Sequence, residues 1–184
     1  MGDAAGHGRY PYRPVTEPVP YRWPQGRGLA VYVAVNLEVY EFGAAHLDAL
    51  VPNPARPDLI NFGWLDWSNR VGAWRLLEAM GEAGVPATAL VNSRLYAAAP
   101  GLVEAWRAAG AEIAAHGRTN GESQAGMAEA AERALIAEAT AEIAAREGRA
   151  PAGWLSPWLA ETQVTPDLLA EAGYRYLLDW GVDD

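Results

Sequence analysis

Apolar runs of four to nine residues alternate with longer amphipathic stretches along most of the chain, and that alternation predicts its elements. Residues 29–37 form a nearly continuous apolar run that suits a strand. Residues 41–67 carry prolines and asparagines without a clear period and are expected to form a long loop, a kind of segment that often has a function. A helix follows, with Ser68 or Asn69 as its cap, Val71, Trp74, Leu77 and Met80 on one face, and Gly84 just past its end. The order then repeats: a strand at 87–91, a helix reaching Gly110, a strand at 112–115 and an alanine-rich helix over 127–147. A fourth strand is expected at 152–155. Thr165 and Pro166 then start a short helix that Gly173 ends, and a fifth strand covers 174–178.

Strands that alternate with helices imply an α/β fold with a parallel sheet and right-handed crossovers. Pattern alone leaves a barrel and a doubly wound sheet both open. Residues 1–27 hold five prolines and show neither a helical nor an alternating period, so they read as an extended arm before a domain at 28–184. The chain stops at Asp183 and Asp184, directly after a strand, with no helix to cover it. The expectation is an unfinished fold; the alternative is a complete five-stranded sheet.

Composition narrows the partners. The 184 residues, 51% of them hydrophobic, suffice for one globular domain. A net charge of −9 leaves few cations to neutralise phosphates, which argues against nucleic acid and anionic membrane as partners. Cysteine is absent, so a disulfide, a thiolate metal site and a thiol nucleophile are excluded. The first 28 residues contain no apolar leader core, and no later stretch has the apolar length of a membrane span, so a cytoplasmic location is expected.

Reacting groups in parallel β/α folds gather at the carboxyl ends of the strands. Those ends here are Asn36 to Glu38, Asn92, His116, Ser156 to Trp158, and Asp179, each bearing a polar group. An acid, an imidazole, amides and a second acid on one rim are what water attack on a carbonyl requires. Glu38 follows an apolar run, where partial burial would raise its pKa and suit it to take a proton from water; the alternative is a solvated loop carboxylate. Of three histidines, His7 lies in the arm and His46 is expected on the surface of the long loop, which leaves His116. Arg70, at a helix start, could clamp a substrate carboxylate or carbonyl, or pair with Asp66. Trp74 and Trp106 have helical spacing and read as core. Trp64, Trp67, Trp154, Trp158 and Trp180 fall at loops or strand ends, where flat rings would line a pocket for a sugar face or a planar imide or ureide, or else pack the rim.

Several segments in order carry a resemblance: Trp23-Pro24, Asn36-Leu37-Glu38-Val39-Tyr40-Glu41-Phe42-Gly43, Asn69-Arg70-Val71-Gly72-Ala73-Trp74-Arg75, His116-Gly117-Arg118-Thr119-Asn120, Gly153-Trp154-Leu155-Ser156-Pro157 and Asp179-Trp180. Together they resemble the polysaccharide deacetylase (NodB-homology) superfamily, most of all its branch of metal-independent allantoinases and cyclic imide hydrolases. The resemblance spans nearly the whole chain from Trp23. It implies a distorted (β/α) barrel of which this chain would hold the first five units, a truncated barrel.

In metal-dependent members two adjacent acids end the first strand, one as base and the next as ligand, and a His-x-x-x-His motif supplies two further ligands. Glu38 matches the first acid, but Val39 stands at the second position and Asn120 replaces the second histidine, which leaves His116 alone of the three protein ligands. A catalytic zinc needs about three, so no tightly bound metal is expected, although Glu41 or Asp179 could join Glu38 and His116. Leu155-Ser156 stands where the fourth motif has an arginine. The expected function is hydrolysis of a non-peptide C–N bond in a small linear or cyclic amide, without a cofactor. Glu38 would activate water, His116 and Asn120 would stabilise or protonate the intermediate, and Asp179 would orient. Arg70, Asn92, Trp154, Ser156, Trp158 and Trp180 would hold the substrate. The alternatives are a metal-dependent carbohydrate N-deacetylase acting on an amino sugar, and a non-catalytic small-molecule or sugar-binding relative. A homo-oligomer or a missing C-terminal half would cover the open strand edge.

Overall fold

A computed structural model describes residues 7–17, 20–43 and 51–181. His46 and the terminal pair Asp183 and Asp184 lie outside the described residues. The chain divides into two compact units, Met1–Val31 and Tyr32–Asp184. In the first, the described helical structure is one short turn at Pro24–Gly26, and Tyr21 meets Trp23 edge-on with ring centroids 4.8 Å apart.

The second unit carries five parallel strands, β1 (Ala34–Leu37), β2 (Thr88–Val91), β3 (Glu112–Ala115), β4 (Gly153–Trp154) and β5 (Tyr176–Leu177). They lie side by side in chain order, β1-β2-β3-β4-β5. A doubly wound sheet reverses its order at a switch point; this one never does, and its winding is that of a barrel. The helices are α1 (Leu59–Trp67), α2 (Ala73–Ala83), α3 (Leu95–Ala98), α4 (Leu102–Ala108), α5 (Glu129–Glu147) and α6 (Thr165–Glu171).

Three expectations change. The strand predicted over 29–37 shrinks to Ala34–Leu37 because β2 offers partners to those four residues only, and Leu29, Val31 and Tyr32 are exposed. The long loop holds α1, whose cap is Asp58, with Oδ1 accepting from the Asn61 amide at 3.0 Å. Ser68 and Asn69 are therefore not a helix start; they lie in a wide π-type turn, Ser68–Gly72, that joins α1 to α2. Finally, Trp74 is 42% exposed rather than core, its indole N–H spent on the Asn69 carbonyl at 3.1 Å.

The core sits between the sheet and α2 to α6. Ala89, Val91, Ala115 and Trp154 from the strands, with Leu102, Trp106, Ile136, Ile143 and Leu169 from the helices, are almost completely buried. Trp106 is fully enclosed, and its replacement by alanine would cost about 3–5 kcal/mol. Gly84, in the left-handed region at φ 63°, ends α2 as the sequence predicted and turns the chain into β2.

Candidate active site

β1 runs out at Leu37, and the side-to-side alternation of a strand, carried on through the next three residues, would put Asn36, Glu38 and Tyr40 on one side. The two neighbours both bond the carboxylate between them. Asn36 Nδ2 donates to Glu38 Oε1 at 3.0 Å, and the Tyr40 hydroxyl donates to Oε2 at 2.7 Å. From the end of β3, His116 Nε2 stands 3.3 Å from Oε1.

His116 is 1% exposed, and its Nδ1 lies 2.7 Å from the Leu155 carbonyl at the end of β4. A carbonyl only accepts, so Nδ1 carries the proton and Nε2 is the atom that can exchange one with Glu38. Burial pushes the Glu38 carboxyl up, as the sequence led one to expect. The hydrogen bonds from His116 and Tyr40, the nearby His116 ring and the Asn36 bond together outweigh it, and Glu38 ends below its ordinary 4.5. The expected raised pKa is corrected accordingly: the site ionises its acid instead of protonating it.

Asn120 joins the cluster through Tyr40, its Nδ2 donating to the phenol oxygen at 2.7 Å while its own N–H bonds the Val39 carbonyl at 2.9 Å. Trp158 closes the other side. Its indole N–H donates to the Asn120 carbonyl at 2.8 Å, and its backbone is held in the left-handed region at φ 64°, a strained conformation for a bulky residue. Half of the Trp158 side chain remains exposed beside the cluster. Gly117, between His116 and this segment, needs its φ of 66°, and a Cβ there would lie 2.8 Å from Pro157 Cγ.

Other predicted contacts turn out to be internal braces. Asn92 is completely buried, with Oδ1 accepting from Val39 N at 2.8 Å and Nδ2 donating to the His116 carbonyl. It ties the ends of β1 and β3 across β2, and no polar atom of its side chain is left for a substrate. Trp154 is equally buried, packed edge-to-face on Tyr174 with centroids 5.4 Å apart, and bonds Ser156 Oγ at 3.0 Å. Ser156, also buried, gives its backbone N–H to Asp179 Oδ1 at 2.7 Å. These three are corrected from substrate contacts to supports, because strand-end side chains here face the core or a neighbouring strand end.

Arg70 points outward, 73% exposed, and pairs with Asp66 one turn earlier. Trp180 donates to the Glu161 carboxylate at 3.0 Å. Asp179 reaches the rim through Ser156, and its Oδ2 is buried without a hydrogen-bond partner. The residue that sequence reasoning passed over is Tyr40. The period-two alternation from Asn36 was the signal that could have found it.

A catalytic metal does not fit this donor set. Among the described residues no three of histidine, aspartate and glutamate converge. Val39 packs against the core, Asn120 turns its nitrogen to Tyr40, and Glu41 is exposed.

The sequence model of the polysaccharide deacetylase family matches residues 63–177. Among solved structures, one from Mycobacterium smegmatis assigned to the polysaccharide deacetylases is 29% identical, with a TM-score of 0.71 over 87% of this chain and 54% of its own. One from Pseudomonas aeruginosa with the same assignment is 26% identical, with a TM-score of 0.70 over 83% of this chain and 54% of its own. Puue allantoinase, 24% identical, superposes with a TM-score of 0.73 over 99% of this chain and 61% of its own, a likeness of fold. The chain thus spans between 54% and 61% of the length of these structures. None of the curated proteins compared matches it. A singly wound parallel sheet with its polar groups on one rim, together with a family match over residues 63–177, places this chain in the polysaccharide deacetylase family.

Proposed function

We propose that this rim belongs to a hydrolase that cleaves the C–N bond of a small linear or cyclic amide without a catalytic metal. The observation that carries the reading is the Glu38–His116 pair: a carboxylate held ionised 3.3 Å from an imidazole nitrogen whose partner nitrogen is pinned as a donor. In the reaction Glu38 takes a proton from water as the water oxygen bonds the carbonyl carbon. As the C–N bond breaks His116 Nε2 gives its proton to the leaving nitrogen and is resupplied by the one Glu38 took from water, and a carboxylic acid and an amine or amide result. Proton transfer by a placed base is worth roughly 10²–10⁴-fold. Asn120 stands beside the pair through Tyr40, Asp179 orients the rim through Ser156, and Trp158, half exposed beside Asn120, offers a flat face to a planar imide, a ureide or a sugar.

The test is a pH-stat screen of cyclic imides, ureides and N-acetylated amino sugars with and without chelator. Acid release that the chelator leaves untouched supports the reading. Chelator-sensitive acetate release from the amino sugars would replace it with a metal-dependent deacetylase.

A second reading, a binding relative without turnover, is favoured by Val39 and Asn120 standing where metal ligands are expected. It predicts saturable binding of one of these compounds and no turnover. A cytoplasmic location with no nucleic-acid or membrane partner belongs to the same proposal; the charge of −9 supports the lack of anionic partners. No helix among the described residues is long and apolar enough to cross a membrane.

A further inference from the structure

Tyr40 lies between two groups that fix its chemistry. Its oxygen is 2.7 Å from Glu38 Oε2 and 2.7 Å from Asn120 Nδ2. A phenol has one proton, and an ionised carboxylate can only accept, so that proton goes to Glu38. The Tyr40 oxygen then has only lone pairs to offer Asn120, and it is the amide nitrogen of Asn120 that donates to it. The direction of the chain is therefore forced: Asn120 donates to Tyr40, and Tyr40 donates to Glu38. It leaves Asn120 Oδ1 buried and without a partner, as is observed.

The same bonds divide the carboxylate. Oε2 is taken by Tyr40, and Oε1 faces Asn36 and His116 at 3.0 and 3.3 Å. Burial and the adjacent Glu38 carboxylate push the Tyr40 phenol well above its ordinary range, which keeps the donor protonated wherever Glu38 is ionised. The bridge also ties the segment after β1 to the loop after β3 by a route separate from the Asn92 brace.

We propose that Tyr40, directed by Asn120, is a positioning residue for Glu38: it holds Oε2 so that Oε1 stays turned toward His116. The proposal deepens the hydrolase reading and rests on Glu38 being its base. Without the phenol the carboxylate is held on one side only, by Asn36 at Oε1, its last torsion is broad, and Oε1 keeps a looser bearing on the imidazole.

Two readouts test it on the whole chain. In proton NMR the wild type should show a downfield, slowly exchanging hydroxyl resonance that is absent in Tyr40→Phe and moves upfield in Glu38→Gln, where a neutral amide replaces the carboxylate. On whichever compound the screen finds to be hydrolysed, Tyr40→Phe should lower kcat by about 10- to 100-fold with KM within about twofold. Its stability should fall by no more than the loss of these bonds implies, with the variant still folded at the assay temperature. A missing resonance, or one that Glu38→Gln does not move, overturns the bridge whether or not any compound is hydrolysed. Wild-type kcat in Tyr40→Phe, or a loss that only tracks a lowered midpoint, overturns the positioning role. If the resonance behaves as described while Glu38→Gln retains full turnover, the bridge stands and the reading of Glu38 as the base is what fails.

Discussion

His116 and Glu38 are 78 positions apart in sequence, yet Nε2 of one lies 3.3 Å from Oε1 of the other. They project from the ends of β3 and β1, which are not neighbours; β2 runs between them and is followed by Asn92. Asn92 joins the strand ends on either side of β2 by bonding Val39 N and the His116 carbonyl, beside the bonds that Asn120 makes to Val39 and Tyr40. One buried amide thus braces both residues of the pair from between them.

Replacing Asn92 with alanine should be costly. It leaves the Val39 amide and the His116 carbonyl without their side-chain partner, beside a position that is completely buried. The expected loss is about 2–4 kcal/mol of unfolding free energy, read as a lower denaturant midpoint at unchanged slope. A loss below roughly 0.5 kcal/mol would show that the brace is redundant.

The ionisation of Glu38 gives a pH dependence with a definite sign. Its folded-state pKa lies below the ordinary 4.5, so the stability it contributes is complete above that value and fades as pH falls through the folded pKa. Turnover that needs the ionised acid should likewise hold down to about pH 4.5 before it declines. Unfolding curves between about pH 3 and 6 should show a steeper loss for wild type than for Glu38→Gln, which cannot titrate. Parallel curves would mean that His116 and Tyr40 do not favour the ionised form.

Gly117→Ala probes the turn that follows His116. An alanine must adopt a φ of 66° and place its Cβ 2.8 Å from Pro157 Cγ. Left-handed strain costs about 1–3 kcal/mol, and relief of the clash would displace the segment carrying Trp158. Calorimetry should show the drop, together with a change in the indole environment. An unaltered melting temperature would contradict the tight approach.

Much of this fold was legible because apolar runs end where strands end. Counting to the first polar residue after each run located Glu38, Asn92, His116 and Ser156 on one rim. What the count could not supply was direction. Asn92, Ser156 and Trp154 turn inward to brace the strand ends, and nothing in a single sequence separates an inward amide from a substrate-facing one. Helix α1 escaped because its residues, Leu-Ile-Asn-Phe-Gly-Trp-Leu-Asp-Trp, are apolar on nearly every side and give no helical period. Trp74 misled for the opposite reason: it has the right spacing, but that part of α2 faces outward. The Glu38 pKa was anticipated from burial alone, and its three hydrogen-bonding neighbours reverse the sign.

The central claim is that Glu38 is the base of a hydrolytic site. Glu38→Gln keeps the shape of the side chain and its bond to Tyr40 while it removes the ability to take a proton. Turnover of the best compound from the screen, wild type against this variant at matched thermal midpoint, is the direct measurement. The account predicts a kcat lower by about 10²-fold or more, with the variant still folded. A Glu38→Gln variant that turns over within about twofold of wild type would contradict it.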